Sequence, residues 1–137
     1  MIRNFLKIQP LNTDMAILLL RLIFGGIFIN YGYSKMMAYD KILPQFGDVI
    51  GIGTTLSFNL VIFAEFGCGI LVLLGFVTRF ATIPIFITMA VAYFIAHAKD
   101  SFENKELSFL YLVISIVVFL FGSGKISIDQ LIFNRKK

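Results

Sequence analysis

The sequence predicts an all-α polytopic membrane protein, a four-transmembrane-helix bundle with both termini cytoplasmic. Composition is the first observation behind this: 58% of the 137 residues are hydrophobic and 15% are charged, far from the balance of a soluble domain. Four apolar runs, 15–33, 58–76, 80–96 and 107–121, are the second; each approaches the roughly 20 residues that a helix needs to cross a bilayer. Little chain remains for connections, so a single domain over 1–137 is expected. The basic residues are the third. Arg3, Lys7, Arg79, Lys125, Arg135, Lys136 and Lys137 fall at one end of such a bundle, and Lys35, Lys41, Lys99 and Lys105 at the other. The positive-inside bias then places the first end, with both termini, in the cytoplasm; the inverted orientation stays open.

The first run can be capped by Asn12, Thr13 or Asp14, and Gly32, Ser34 and Lys35 loosen its end. Arg3 and Lys7 resemble the start of a signal peptide, but no small-residue cleavage pattern follows, so this span is expected to be retained. In the longest loop, 36–57, Pro44, Gly47, Gly51 and Gly53 argue against a continuous helix, leaving a short interfacial helix or a re-entrant segment. Gly75-Phe-Val-Thr-Arg79 allows a tight turn and no more, which makes the second and third runs antiparallel neighbours. Pro84 lies near the start of the third run, where missing donors matter least. The fourth run is short and is expected to extend into Glu106 or Ser123. The tail 128–137 mixes apolar and basic residues and suits the inner membrane surface.

A buried charge poses the sharpest question. Arg21 lies inside the first run, where an arginine costs on the order of 3 kcal/mol on insertion scales. Glu65 is the one acidic residue deep in an apolar run, and it is the expected partner. With the ends of the first two runs taken as flush, Arg21 lies roughly 10 Å and Glu65 roughly 16 Å from the boundary, a difference an arginine side chain can cover. Gly25 and Gly32 recur on the Arg21 face, and Gly69 on the Glu65 face, so the two helices can approach closely. Such a pair either does chemistry or only sets helix register.

A second polar group is expected at the other end. His97 ends the third run, Glu106 begins the fourth, and Tyr33 and Lys35 end the first, with Asn30 one turn deeper. Helical spacing puts Phe86, Ala90, Tyr93 and His97 on one stripe, and Ser108, Tyr111, Ser115 and Gly122 on another; both are expected to face the interior. A titratable histidine beside a carboxylate and a lysine makes a reasonable proton-exchange site, with His97 and Glu106 as the catalytic candidates. Asn30, Tyr33, Lys35, Tyr93 and Tyr111 would line its pocket. The plainer alternative is that His97 and Glu106 are interfacial residues satisfied by water. Asp100, Glu103 and Lys105 read as a solvated loop, and no metal pattern is visible.

Other classes are narrowed by counting. The net charge of +4 sits mostly at the ends of apolar runs, where it meets lipid headgroups, so nucleic acid is not an expected partner. One cysteine, Cys68, permits no internal disulfide, and one histidine permits no bis-histidine haem within the monomer.

Arg21-Leu-Ile-Phe-Gly-Gly-Ile-Phe with Gly32 and Lys35, followed by Glu65-Phe-Gly-Cys-Gly-Ile-Leu-Val-Leu-Leu-Gly75 and Thr78-Arg79, resembles the first two helices of the DoxX family of small bacterial membrane proteins. His97, Glu106 and Gly122-Ser-Gly-Lys-Ile-Ser-Ile-Asp129 resemble its second half. The resemblance implies a multi-pass protein of the bacterial inner membrane. It also implies a family in which some members are the membrane subunit of a thiosulfate:quinone oxidoreductase and others are partners in oxidoreductase or thiol-stress complexes. Arg21, Glu65, His97 and Glu106 carry over as its polar positions, with Gly25, Gly32 and Gly69 for packing. Asn30 stands where a histidine or another polar group is expected in relatives.

Two functions follow as expectations. The first is a quinone-reactive or redox-complex membrane component with no covalently bound cofactor, drawing electrons from quinone or a protein partner. The second is a non-enzymatic scaffold that binds lipid, partner proteins or further copies of itself. An apolar pocket beside His97 would favour the first; a small transporter is a weaker third, since no internal repeat is visible.

Overall fold

The computed structural model describes residues 2–134; Arg135, Lys136 and Lys137, which the charge argument used, lie outside the described residues. Among these every regular element is helical, and four helices are long and apolar enough to cross a membrane: Thr13–Met37, Thr54–Leu74, Thr78–Ala96 and Phe102–Phe121. They correspond to the four apolar runs, taken here as spans one to four. The first continues past the predicted end because helix geometry tolerates Ser34 and Lys35, polar as they are. Its start is capped by Asn12, whose side-chain oxygen accepts from the Met15 amide at 3.0 Å. The fourth begins early, at Phe102, with Glu103 in its first turn, where a negative charge suits the helix dipole.

Two spans are not plain α-helix. A π-helical turn, Phe63–Gly67, interrupts the second, and another, Ala92–Ala96, ends the third. Each wider turn rotates the residues beyond it around the axis relative to ordinary α-helical spacing, and such turns are common at functional sites. The long loop contains a short helix, Tyr39–Ile42, and a 3-10 turn, Leu43–Gln45. It folds back on the bundle: the Tyr39 and Phe46 rings lie 5.1 and 5.0 Å from that of fully buried Phe58. The tail forms a short helix, Ile128–Phe133, whose Leu131, Ile132 and Phe133 stay exposed.

Span one packs tightly on span two, span two on span three through the turn at 75–78, and span three on span four. Phe24, Phe28, Val72, Ile85 and Val118 form the centre of the core. Of the stripe predicted for the fourth span, Tyr111 and Ser115 are buried, as is Gly122 just past its end, while Ser108 is half-buried. The third does not follow its predicted stripe. Its buried face is Thr78, Ala81, Thr82, Ile85 and Met89, while Phe86 is 37% exposed on the outside. Lipid accepts a phenylalanine as readily as the core does, so hydropathy alone cannot orient an all-apolar helix.

Candidate functional site

Arg21 is buried, and its partners are carbonyl oxygens. Nε donates to Val72 at 3.2 Å, Nη2 to Leu73 at 3.2 Å, and Nη1 to Ile126 at 2.8 Å and to Ser123. The first two acceptors belong to the last turn of span two, whose carbonyls carry partial negative charge at the helix end. The other two belong to the segment after span four. Gly75 lets the guanidinium in: its φ of +71° is left-handed, and a β-carbon there would sit 2.8 Å from Arg21 Cζ. Beside this cation, Asp129 accepts from the Val77 amide at 2.9 Å, from the Thr78 amide at 3.5 Å and from the Ser123 hydroxyl. It caps the third span from some 50 residues away.

The expected Arg21–Glu65 pair is therefore corrected. Helix register is what separates them. A β-carbon on Gly25 would meet Gly69 O and Leu73 N at 2.8 Å, and one on Gly32 would meet Phe66 N at 2.5 Å. Close approach at these glycines sets Arg21 level with the end of span two, and Glu65 roughly 15 Å farther along the axis. The span ends are not flush: about 12 Å of span one projects beyond span two. There the tail segment closes over it, with the Lys125 amide donating to Asp14 at 3.4 Å.

Glu65 pairs instead with Lys35, at 2.6 Å. Glu65 is buried within the π-helical turn, and Lys35 reaches down from the last turns of span one. The pair faces a cavity of about 490 Å³ between the spans at the end opposite Arg21. Its wall is mostly apolar, with Leu60, Val61, Met89 and Ala92 of the spans contributing alongside the loop residues Phe46 and Ile50. The Tyr31 and Tyr111 hydroxyls, 3.3 Å apart, lie on the same wall, and Lys35 Nζ stands 5.7 Å from the Tyr31 ring centre.

Of the expected site residues, Lys35, Glu65, His97 and Tyr111 line this one cavity. His97 stands half exposed at its edge, with Nδ1 2.6 Å from Asp100 Oδ2. Its acidic neighbour is thus Asp100 rather than Glu106, which is exposed and outside the cavity wall. The chain bends after Ala96, which brings a residue three positions away within reach. Asn30 and Tyr33 are exposed on another face of span one, and Tyr93 stacks on Phe109 at 5.6 Å, under the Lys105 ammonium. Tyr31, Ser57 and Asp129 were not anticipated. Tyr31 stands four before Lys35 and Ser57 eight before Glu65, on shared helix faces, so helical spacing could have found both. Asp129 has no helical-spacing signal, although it closes the Gly122-to-Asp129 stretch of the family resemblance.

The DoxX family pattern matches residues 16–98, a stretch that contains Arg21, Lys35, Glu65 and His97. The chain belongs to the DoxX family. Among its relatives, CatD of Bacillus subtilis, whose name assigns it provisionally to the oxidoreductases, is 31% identical over 90% of this chain and 92% of its own. The inner membrane protein YqjF of Escherichia coli is 32% identical over 90% of this chain and 95% of its own. An uncharacterized membrane protein of Mycobacterium tuberculosis is 37% identical over 56% of this chain and 48% of its own. No solved structure matches the chain. In this DoxX protein the family match ends near His97, so Tyr111 and Asp129, which complete the two polar centres, come from beyond it.

Proposed function

We propose that this DoxX protein is the membrane subunit of a redox complex and holds a quinone in the cavity beside Lys35 and Glu65. The observation that carries the reading is a mostly apolar cavity of about 490 Å³ with an ion pair, its carboxylate buried and its ammonium partly so, and a tyrosine pair on its wall. That size suits a ring compound, and a charged pair inside lipid marks a functional site more often than an ornament of the fold. A bound quinone supplies the exchange of electrons together with protons. The chain's own residues orient it and handle the protons. Lys35 donates hydrogen bonds from its ammonium, the Tyr31 and Tyr111 hydroxyls can donate or accept, and Glu65 holds the compensating charge. His97, on the edge with Asp100, links the cavity to the aqueous side. A protein partner supplies or takes the electrons, and the provisional name of CatD agrees with that role.

The reading is tested by titrating the full-length protein, in lipid nanodiscs, with a short-tail benzoquinone. Wild type is expected to bind it, and the double variant Lys35→Met/Glu65→Gln, which leaves no lone buried charge, to bind at least tenfold more weakly. Tyr33→Phe, on the outer face, should not change affinity. Absence of binding to wild type, or equal binding by the double variant, would refute the assignment.

We place the protein in the bacterial inner membrane, as YqjF is, with the Arg21 end in the cytoplasm. In the sequence, Arg3, Lys7, Arg79, Lys125, Arg135, Lys136 and Lys137 belong to that end, against Lys41, Lys99, Lys105 and the paired Lys35 at the other. A C-terminal green fluorescent protein fusion should fluoresce in cells and a C-terminal alkaline phosphatase fusion should be inactive; the reverse pattern would invert the topology.

A further inference from the structure

We propose that Ser57 is a second anchor of this cavity, its hydroxyl donating to one carbonyl oxygen of a ring whose opposite carbonyl faces Lys35. The inference rests on the cavity being the quinone site argued above, and adds which side chain holds the far carbonyl and why the two carbonyls must stand at opposite ring positions.

Ser57 is 6% exposed and contributes to the cavity wall. Its Oγ is the one buried side-chain nitrogen or oxygen among the described residues with no hydrogen-bond partner. Three other buried or half-buried hydroxyls on the spans turn back onto their own helix, as serines and threonines in helices often do. Thr82 donates to Thr78 O at 2.6 Å, Thr88 to Pro84 O at 2.8 Å, and Ser115 to Leu112 O at 2.6 Å. Ser57 keeps its hydroxyl unengaged although its own amide is bonded to Gly53 O at 3.0 Å. A buried hydroxyl without a partner is costly, and in an apolar cavity it marks where a polar atom of a ligand belongs.

Spacing narrows the ligand. Ser57 and Glu65 share one side of span two, eight residues apart, which is about 12 Å along the axis. Val61 lies between them on the wall. Two hydrogen bonds plus the width of a ring with carbonyls at opposite positions together span about 11 Å, so such a ring can reach the Lys35–Glu65 pair with one oxygen and Ser57 with the other. A ring with a single carbonyl can reach one station at a time. Leu60 and Ile87 line the cavity while standing 48% and 54% exposed on the lipid side, which suits a ligand arriving from the membrane.

The test compares two probes on wild type, Ser57→Ala and Ser57→Thr in nanodiscs: a short-tail 1,4-benzoquinone and an aryl ketone of the same size with one carbonyl. Wild type and Ser57→Thr should prefer the dicarbonyl ring by about tenfold, the worth of one hydrogen bond. Ser57→Ala should lose that preference without any fall in the melting temperature of the ligand-free protein, because the hydroxyl bonds nothing in the fold. Wild type binding both rings equally, or Ser57→Ala keeping the preference, would overturn the anchor while leaving the quinone reading intact. A fall in ligand-free stability would make the hydroxyl structural and overturn it too. Wild type binding neither ring would overturn both.

Discussion

Arg21→Met is expected to be the most damaging single substitution at a polar position in this protein. It removes one side chain that serves four carbonyls: Val72, Leu73, Ser123 and Ile126. The Val72 oxygen retains the Gly75 amide, at 3.1 Å. The other three are partly buried and keep no recorded partner among the described residues, so each costs toward the lower end of the roughly 1–3 kcal/mol of a buried orphan. A loss of about 3–5 kcal/mol is therefore expected, a large share of the roughly 5–15 kcal/mol that holds a typical domain folded. It should be read as a collapse of the melting temperature in detergent and of yield in membranes. Arg21→Lys should recover little, because an ammonium cannot spread donors over acceptors on two segments as a planar guanidinium does. The same measurements separate the two possible partners of Glu65. In double-mutant cycles Arg21→Met and Glu65→Gln should add, whereas Lys35→Met and Glu65→Gln should couple strongly, since the second change removes the charge that the first leaves unpaired. Coupling between Arg21 and Glu65 would contradict the register described above.

Gly32→Ala is expected to be nearly as severe, and for a different reason. The added methyl would lie 2.5 Å from Phe66 N, 2.6 Å from Phe66 Cβ and 2.8 Å from Phe66 Cα. Two of these atoms are backbone, so no rotamer change makes room; span one must move away from span two. That displacement loosens the contact that brings Lys35 to Glu65 and opens the neighbouring cavity. Overpacking of this kind costs about 1–3 kcal/mol and more where backbone must shift. Gly26→Ala is the matched control: nothing lies within 4 Å of its β-carbon, and relief of glycine's helix penalty should raise stability by about 0.5–1 kcal/mol. Thermal melts of both variants with ligand titrations decide the point. A Gly32→Ala protein that melts like wild type and binds ligand equally well would show that close approach at this crossing is not what positions the pair.

These two expectations show where reading along the chain succeeds and where it stops. Arg21, Glu65, Lys35 and the glycines around them could be picked out because hydrocarbon offers no partner to a charge and no room between packed helices, so such residues stand out against an apolar background. His97 stood out for a similar reason, as the lone titratable ring at a helix end. Which charge meets which was not legible. Hydropathy places a residue in depth only to within a turn or two, and the assumption of flush helix ends moved Arg21 toward Glu65 by about two turns. The π-helical turn Phe63–Gly67 further upset spacing arguments that assume 3.6 residues per turn.

The amino-acid sequence by itself determined that this is a four-span helical membrane protein of the DoxX family, that its buried charges need partners inside the protein, and that spans one and two touch at glycines. The tertiary structure alone decided the pairing: Lys35 with Glu65, Arg21 with the carbonyls at the end of span two, Asp129 with the start of span three. The physical reason is that composition and periodicity are properties of one helix, whereas a hydrogen bond forms only within about 3 Å. That distance depends on the sliding of one helix against another, and contacts between residues far apart in the chain set it.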